Sequence, residues 1–312
     1  MKKLTFLLSI ALATVTLMAQ NKKPDLTGIY GPDVKTIGIP AISSKVPQPQ
    51  FIAITNRLAK AGYRMKVASN VSEPTVAPAE RRARLLEELW MDPEVDLLVF
   101  AYGGQGAADV IEVLDWEKLR QRDMRVIGFS DLTMMVNTML FKGVGHPYTG
   151  PVLTTLGYSS QAAVNRMRDM MNGNPADIKL RAIKAAEKNI EGLPMGGLLE
   201  RLHRLTNKGT LNDLTGRIVF IENTKKYTPR TEEFLNDMVA KGVFNKAAGV
   251  VICDFNAKAP KAATSAILKA FASKIPCPVY AGFPYGHIAE TSIIDFRKPL
   301  VITPEGILSW KK

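Results

Sequence analysis

The sequence predicts an α/β protein built on a mostly parallel sheet with helices on both faces. Short apolar runs alternate with longer segments of helical periodicity, and this alternation favours parallel strand pairing. The 312 residues suggest about two domains, each able to bury its own core. Apolar residues make up 46% and charged residues 22% of the chain, a balance that argues against disorder of the chain as a whole.

The first half contains the clearest alternation of strands and helices. Its helices show apolar residues at three- and four-residue spacing, as Leu85, Leu86 and Leu89 do, whereas its strands are short, strongly apolar runs. The predicted strands are residues 36–39, 65–68, 96–102 and 125–129, and the predicted helices are residues 50–61, 80–90, 107–114, 116–121 and 132–141. We expect this first domain to span residues 21–158.

The second half contains fewer predicted strands, but their apolar patterns are clearer. Residues 159–190 are polar and helical with a break at 172–175, so we interpret them as a connection. The second domain, residues 191–312, follows. Its predicted strands are residues 217–221, 249–254 and 278–281, its predicted helices are residues 231–241 and 262–274, and residues 292–302 and 306–310 have the character of a hairpin.

The first twenty residues predict a secretory signal peptide. Lys2 and Lys3 supply a positive start, residues 4–18 are largely apolar, and Ala19 is a small residue suited to cleavage. The apolar run is short for a membrane span. We therefore expect export to the periplasm, cleavage near Ala19–Asn21, and no stable membrane insertion afterwards. An uncleaved anchor is the alternative.

The net charge and the small number of histidines and cysteines limit the kinds of ligand and macromolecular partner that we expect. The net charge of +12 attracts acidic partners, but the basic residues are scattered without interleaved aromatics, so we expect no nucleic-acid partner. Cys253 and Cys277 lack the Cys-x-x-Cys spacing of zinc or redox sites, and their pairing stays open. The three histidines are also spread apart. We expect neither a metal nor another cofactor.

Two turns in the first half are candidate functional segments, because parallel sheets bind ligands beyond the carboxyl ends of their strands. Gly103, Gly104, Gln105 and Gly106 lie between a strand and a helix, where backbone N–H groups can approach an anion. Asp109 stands where a dinucleotide fingerprint needs its third glycine, so a plain tight turn is the alternative.

Ser130 lies at the second of these turns. A sharp strand–turn–helix bend there exposes the hydroxyl as a nucleophile elbow does, although Leu132 replaces the second glycine of the hydrolase pattern. A serine that only caps the following helix is the alternative.

Glu222 and His287 also follow predicted strands, and with Ser130 they give the order serine, glutamate, histidine. A serine nucleophile needs a base, and a carboxylate fixes the tautomer of that base. Covalent hydrolysis is therefore the chemistry that these residues favour. His203 fits a surface position on a helix, and His146 lies in a predicted loop where a binding role stays possible.

These motifs resemble the LD-carboxypeptidase family, which includes muramoyltetrapeptide carboxypeptidases and microcin-immunity serine peptidases. The resemblance spans most of the chain from about residue 36 to residue 310. It rests on residues 92–96 and 103–106, on residues 126–133 around the serine, on Gly150 and Pro151, on residues 221–223 with Arg230, and on residues 282–287.

The resemblance implies a function and a site. Ser130 would be the nucleophile, His287 the general base and acid, and Glu222 the residue that orients His287. The backbone N–H groups of Gly104 and Asp131 would form the oxyanion hole. Gly103, Gln105 and Arg230 are further candidate substrate-binding residues.

The resemblance also implies a flavodoxin-like first domain, a smaller β-rich α/β second domain and a homodimer. The expected reaction releases a terminal D-alanine from murein tetrapeptides. The alternatives are a hydrolase of the same family that inactivates a peptide–nucleotide antibiotic, and a muropeptide-binding protein without catalysis. Tyr102, Asp109 and Leu198 depart from the arginine, arginine and asparagine that the family usually has there, and this leaves the exact peptide open.

Overall fold

The computed structural model describes residues 23–211, 213–224, 230–255 and 261–311. The signal peptide predicted for residues 1–20 and its cleavage site lie outside these ranges. Among the described helices, none is both long and apolar enough to cross a bilayer.

The first sheet has five parallel strands in the order β5-β4-β3-β1-β2. This is the flavodoxin-like strand order, so the predicted fold class is confirmed. A sixth strand from the end of the chain, β12, pairs antiparallel with β5 at the edge. The strands of this sheet are β1 Thr36–Ile39, β2 Arg64–Val67, β3 Leu97–Val99, β4 Arg125–Gly128, β5 His146–Thr149 and β12 Ile294–Asp295.

The second sheet has the order β6-β14-β13-β8-β9-β10-β11-β7 within the described ranges. Its four central strands, β8 to β11, are parallel, and the outer strands pair antiparallel. The strands are β6 Ile178–Lys179, β7 Arg181–Lys184, β8 Ile190–Leu198, β9 Arg217–Asn223, β10 Gly249–Phe255, β11 Val279–Ala281, β13 Leu300–Ile302 and β14 Ile307–Trp310.

Helices follow the strands of both sheets. The larger apolar cluster contains Ile37, Leu98 and Ile127 of the first sheet and continues into the second through residues such as Phe220 and Val251. A smaller cluster, with Val219, Ile221 and Val250, belongs mainly to the second sheet. The helices are α1 Gln48–Lys60, α2 Ala79–Met91, α3 Ala107–Val113, α4 Trp116–Arg120, α5 Thr133–Lys142, α6 Leu153–Leu156, α7 Gln161–Met171, α8 Leu199–Asn207, α9 Thr231–Ala240 and α10 Lys261–Lys274.

The predicted connection of residues 159–190 contains more than a helix. After α7, β6 and β7 join the second sheet as edge strands, because β7 pairs antiparallel with β11 and β6 with β14. Their charged and partly exposed side chains, typical of sheet edges, resemble a polar linker in sequence. β8 escapes sequence prediction because glycines and Pro194 lower its strand propensity.

Two further differences concern the ends of elements. The predicted strand 96–102 is shorter in the structure, Leu97–Val99, although the N–H groups of Phe100 and Ala101 still donate to Ile127 and Pro40 before the chain reaches the glycine turn. The predicted hairpin over residues 292–302 and 306–310 is divided: β13 and β14 pair with each other, whereas β12 adds to the first sheet. Cys253 and Cys277 are both free thiols.

Gly196 fixes β8 against α5, close to the junction of the two sheets. Its backbone N–H donates to Asn137 Oδ1 at 3.3 Å, and its carbonyl accepts from Asn137 Nδ2 at 2.9 Å. Gly196 has a φ of +140°, and a Cβ there would lie 1.9 Å from the carbonyl oxygen of Phe220. No side chain fits this position without displacement of β8 or β9.

Gly196→Ala should therefore lower the free energy of unfolding by more than about 3 kcal/mol, because strain at positive φ and a backbone overlap add up. Gly173→Ala is the matched control, since Gly173 also has a positive φ (+80°) but no atom within 4 Å of the added Cβ. It should cost only about 1 kcal/mol. Urea unfolding of both variants checks the prediction, and equal losses would contradict it.

Candidate active site

Ser130 follows β4 and begins a single 3₁₀ turn, Ser130–Leu132, that leads into α5. Its φ is +62°, and no other non-glycine residue in the described ranges has a positive φ. Such a conformation is costly and persists only where the surrounding structure enforces it. A Cβ on Gly128 would lie 2.8 Å from Leu132 Cβ and Val136 Cγ1, so the strand and the helix meet too closely for a larger residue there.

The structure brings Ser130, His287 and Glu222 together in one hydrogen-bonded chain. Ser130 Oγ lies 3.0 Å from His287 Nε2, and His287 Nδ1 lies 3.0 Å from Glu222 Oε2. Ser130 comes from the first sheet, whereas Glu222 lies at the end of β9 and His287 beyond β11 in the second. An Nδ1–H that donates to Glu222 leaves Nε2 as the acceptor that faces the serine hydroxyl.

The turn that carries His287 is closely packed. The imidazole lies 4.6 Å from the ring of Phe129, centroid to centroid. Gly286, at φ +143°, passes so close to Asp254 that a Cβ would lie 2.8 Å from Asp254 Cβ. The Gly286 N–H donates to Thr291 Oγ1 at 2.7 Å. The Phe129 ring therefore packs on the imidazole, and the contacts of Gly286 fix the backbone directly before His287.

Burial raises the pKa of Glu222 above its ordinary value, against the lowering effect of His287. The Glu222 side chain is completely buried, and the Asp254 carboxylate raises its pKa further. Oε1 of Glu222 has no hydrogen-bond partner among the described residues. The carboxyl group therefore depends on its one contact with the imidazole for compensation.

The glycine turn lies against Ser130. A Cβ on Gly103 would be 3.1 Å from Ser130 Cβ, and one on Gly104, at φ +106°, would overlap Ser44 Oγ. Ser44 fixes this turn, because its N–H donates to the Gly103 carbonyl at 3.2 Å and its Oγ accepts from the Gln105 N–H at 2.9 Å. Gly104 is therefore required for the turn as Ser44 holds it, and Gly103 leaves little room beside Ser130.

Two backbone donors beside Ser130 are unused. Within the described part of the chain, neither the N–H of Gly104 nor that of Asp131 donates a hydrogen bond. Unsatisfied N–H groups next to a serine hydroxyl are suited to an anionic oxygen.

The Asp131 side chain faces away from this position and is buried. Its carboxylate accepts from Ser43 Oγ at 2.6 Å, from the Ala107 N–H at 2.9 Å and from Arg201 Nε at 2.7 Å. Arg201, on α8, also donates through Nη2 to the Gly104 carbonyl at 3.2 Å. One guanidinium from the second sheet's side thus contacts both segments that flank Ser130.

A cavity of about 440 Å³ opens beside the imidazole. Its lining, as far as the structure describes it, contains no Asp, Glu, Lys or Arg and has aromatic rings from Tyr102, Phe129 and Tyr158. Thr154 also lines it, and its Oγ1 is buried without a hydrogen-bond partner. The remaining lining residues are Pro47, Gln50, Thr155, Ile288 and Ala289.

The other predicted residues lie apart from this chain of hydrogen bonds. Arg230 is exposed, bonds Glu233 and covers the ring of Phe234 at 4.6 Å. Gln105 is exposed on the glycine turn. His203 is not at the predicted surface position, because its ring stacks on Phe234 at 4.7 Å and bonds Asp237 at 2.7 Å, both on α9, so the side chain is mostly buried between α8 and α9.

His146 is on β5 rather than in the predicted loop, and its Nε2 lies 2.7 Å from Asp295 Oδ1. Within the described ranges, no group of three or more His, Cys, Asp or Glu residues is arranged to hold a metal ion.

Sequence reasoning missed Arg201 and the cavity residues. Arg201 lies among the regularly spaced leucines of α8, where an arginine is expected to face solvent. Thr154 and Tyr158 follow β5, a strand that begins with His146 and Pro147 and gives a weak strand signal. If β5 had been identified as a strand, Thr154 and Tyr158 would have been expected at the carboxyl edge of the first sheet, where Ser130 lies.

Comparison with known proteins gives relatives of the same architecture. Over 240 residues the chain is 23% identical to the murein tetrapeptide carboxypeptidase of Pseudomonas aeruginosa, covering 72% of this chain and 77% of that protein. The crystal structure of the muramoyltetrapeptide carboxypeptidase from Oxalobacter formigenes superposes with a TM-score of 0.77 at 22% identity, over 88% of this chain and 97% of that one. The microcin C7 self-immunity protein MccF superposes with a TM-score of 0.77 at 18% identity, over 89% and 96%.

The family assignment rests on matches in both halves. The LD-carboxypeptidase N-terminal domain matches residues 37–148, and the LD-carboxypeptidase C-terminal domain matches residues 191–299. The first match contains Ser130, and the second contains Glu222 and His287. This chain therefore belongs to the LD-carboxypeptidase family of hydrolases.

Proposed function

We propose that the protein is a serine-type LD-carboxypeptidase that releases the terminal D-alanine from murein tetrapeptides. The observation that carries the proposal is the unbroken hydrogen-bonded chain from Ser130 Oγ through His287 to Glu222, with both links at 3.0 Å. The name of the Pseudomonas relative, a murein tetrapeptide carboxypeptidase, supports this choice of substrate. A protein that only binds muropeptides has no chemical need for this arrangement.

In the proposed acylation step, Ser130 Oγ attacks the carbonyl carbon of the bond to D-alanine while His287 Nε2 takes the hydroxyl proton. The carbonyl oxygen becomes an anion that the N–H groups of Gly104 and Asp131 stabilise. His287 then gives its proton to the D-alanine nitrogen, the carbon–nitrogen bond breaks, and an acyl ester remains on Ser130. Water attacks this ester by the same proton path and regenerates the serine.

Glu222 acts through His287 in this proposal. Its carboxylate accepts the Nδ1–H and stabilises the imidazolium that forms during each proton transfer. The charge is buried, so its effect on the imidazolium is larger than that of a solvated carboxylate. The same burial makes the ionised carboxylate costly to the fold.

The cavity beside His287 bears on the substrate. Its aromatic and uncharged walls suit an apolar or ring-bearing part of a peptide better than a carboxylate. This feature also favours a second candidate, hydrolysis of a peptide–nucleotide antibiotic, because the rings of Tyr102 and Tyr158 can stack on a base. One solved structure of the structurally similar protein MccF is a complex with glutamyl sulfamoyl guanosine, and this supports a peptide–nucleotide compound as the alternative substrate.

The purified chain should release D-alanine from a disaccharide tetrapeptide and leave a pentapeptide that ends in D-alanyl-D-alanine uncut. Mass spectrometry of the products checks this, with glutamyl sulfamoyl guanosine as a parallel substrate. Cleavage of the nucleoside compound alone would support the second candidate. Binding of the tetrapeptide without cleavage of either compound would contradict both hydrolase proposals.

Ser130→Ala should lower kcat by about 10³-fold or more, because it removes the nucleophile and leaves the remaining groups in place. Calorimetric titration should still detect the tetrapeptide. His203→Ala is the matched control, since His203 bonds Asp237 on the far side of α8, and it should leave kcat nearly unchanged. The Ser130/His287 double alanine variant should be little worse than either single variant.

Glu222→Gln should lower activity and, at neutral pH, raise stability. The raised pKa of Glu222 means that the folded protein binds a proton on this carboxyl group more tightly than the unfolded chain does. The stabilisation from this group is present at low pH and is lost as pH rises through the folded-state pKa. We therefore expect kcat to fall, while the Tm of the variant relative to the unsubstituted protein increases from pH 4 to pH 8.

Glu87→Gln is the control for this pH series. Glu87 is buried too, but it accepts from the Asp115 N–H and from Lys118 Nζ, both at 3.1 Å. Loss of that ion pair should lower Tm at neutral pH. If the Tm of Glu222→Gln relative to the unsubstituted protein stays constant or falls as pH rises, the ionised Glu222 carboxylate does not destabilise the fold, and the prediction is wrong.

Export and assembly are further parts of the proposal. We propose cleavage near Ala19–Asn21 and a periplasmic mature protein, since residues 1–20 have the pattern of a signal peptide. Amino-terminal sequencing of the periplasmic fraction tests this, and full-length chain in the cytoplasm would contradict it. The homodimer implied by the family resemblance stays a prediction that sedimentation equilibrium of the mature chain can test.

A further inference from the structure

We propose that Arg201 is a positioning residue that holds the two segments carrying the backbone donors of the oxyanion hole, the glycine turn at Gly104 and the turn at Asp131, from the side of the second sheet. The inference rests on the proposed serine mechanism, because an oxyanion hole has a role only if Ser130 attacks an electrophile. Arg201 lies on α8, which follows the second-sheet strand β8, whereas the two donors belong to the first sheet.

The first contact of Arg201 fixes the segment after the nucleophile. Arg201 Nε donates to Asp131 Oδ1 at 2.7 Å, and both side chains are only 2% exposed. The same carboxylate accepts from Ser43 Oγ and from the Ala107 N–H through its other oxygen. With the side chain of Asp131 held at three points, its backbone N–H keeps one direction beside Ser130 Oγ.

The second contact fixes the glycine turn. Arg201 Nη2 donates to the Gly104 carbonyl at 3.2 Å, while Ser44 holds the Gly103 carbonyl and the Gln105 N–H. In a trans peptide the C=O and N–H bonds point in opposite directions. The Gly103 carbonyl points to Ser44, so the Gly104 N–H points away from Ser44 and has no partner within the described residues.

A planar guanidinium is needed for both contacts at once. Its nitrogens lie in one rigid fork, so Nε and Nη2 reach Asp131 and Gly104 together. The third nitrogen, Nη1, pairs with Glu200. An ammonium group at the same place has the charge but a single nitrogen, and it cannot hold the carboxylate and the carbonyl in the same geometry.

The test measures the reaction of Ser130 with a fluorophosphonate probe in the mature chain. Ser130 Oγ attacks phosphorus, fluoride leaves, and His287 takes the serine proton. The phosphoryl oxygen occupies the oxyanion hole in the transition state, so the labelling rate reports the hole without a need for the natural peptide. Intact-mass spectrometry follows the rate, and Ser130→Ala sets the background.

Arg201→Lys should slow labelling by at least about tenfold, because a displacement of less than 1 Å in a reacting geometry has effects of this order. The matched control is Arg122→Lys, since Arg122 also holds backbone carbonyls, those of Trp90, Asp92 and Val95, but lies apart from Ser130. It should label at the unsubstituted rate even if its Tm falls.

A second readout excludes a merely structural role. In the Ser130→Ala background, Arg201→Lys should bind the tetrapeptide with an unchanged Kd, and in the active chain it should lower kcat while KM stays within about twofold. Circular dichroism verifies that the variant is folded. If Arg201→Lys does not fold, Arg201→Gln, whose amide can reach only one of the two acceptors, takes its place with the same expected result.

If Arg201→Lys is labelled at the same rate as the unsubstituted chain, the inference is wrong and the proposed function still stands. A Kd that weakens as much as the labelling rate falls would also overturn it, since Arg201 would then shape the substrate pocket. No labelling of the unsubstituted chain would refute the serine mechanism itself, and the inference would fail with it.

Discussion

The buried ion pair between Asp131 and Arg201 is the interaction on which the arrangement of the site depends. Ser130, the proposed nucleophile, follows a strand of the first sheet, whereas His287 and Glu222 belong to the second. An isolated charge inside a protein is strongly unfavourable, so each of the two side chains keeps the other in place. The pair therefore joins the two sheets beside the point where the hydrogen-bonded chain from Ser130 to Glu222 crosses between them.

Strain and burial are concentrated at the same junction. Ser130 has a φ of +62°, and Glu222 is fully buried with one carboxylate oxygen unsatisfied among the described residues. Both features lower stability, and both have a use in the proposed reaction, since one exposes the hydroxyl and the other strengthens the field on the imidazole. Glycines at 103, 128 and 286 allow the backbone to come this close. The packing of two complete sheets around the junction sustains the strain.

The sequence was informative where a residue directly follows a strongly apolar strand. Ser130 follows such a strand and Glu222 lies at the end of another, and the parallel arrangement brings these strand ends to one edge of each sheet. Arg201 could not be found in this way, because its burial depends on the contact of α8 with the first sheet, a relation between distant segments. The edge strands β6 and β7 were missed since their side chains are polar, and β12 because its pairing with β5 is non-local.

The central claim is that Ser130 forms a covalent acyl ester with the peptide that loses D-alanine. Rapid acid quenching during turnover of a disaccharide tetrapeptide, followed by peptide mapping, measures this directly. The account predicts a transient mass increase equal to the acyl part of the substrate without D-alanine, located on Ser130. D-Alanine release with no adduct at any quench time, together with activity retained in Ser130→Ala, would contradict it.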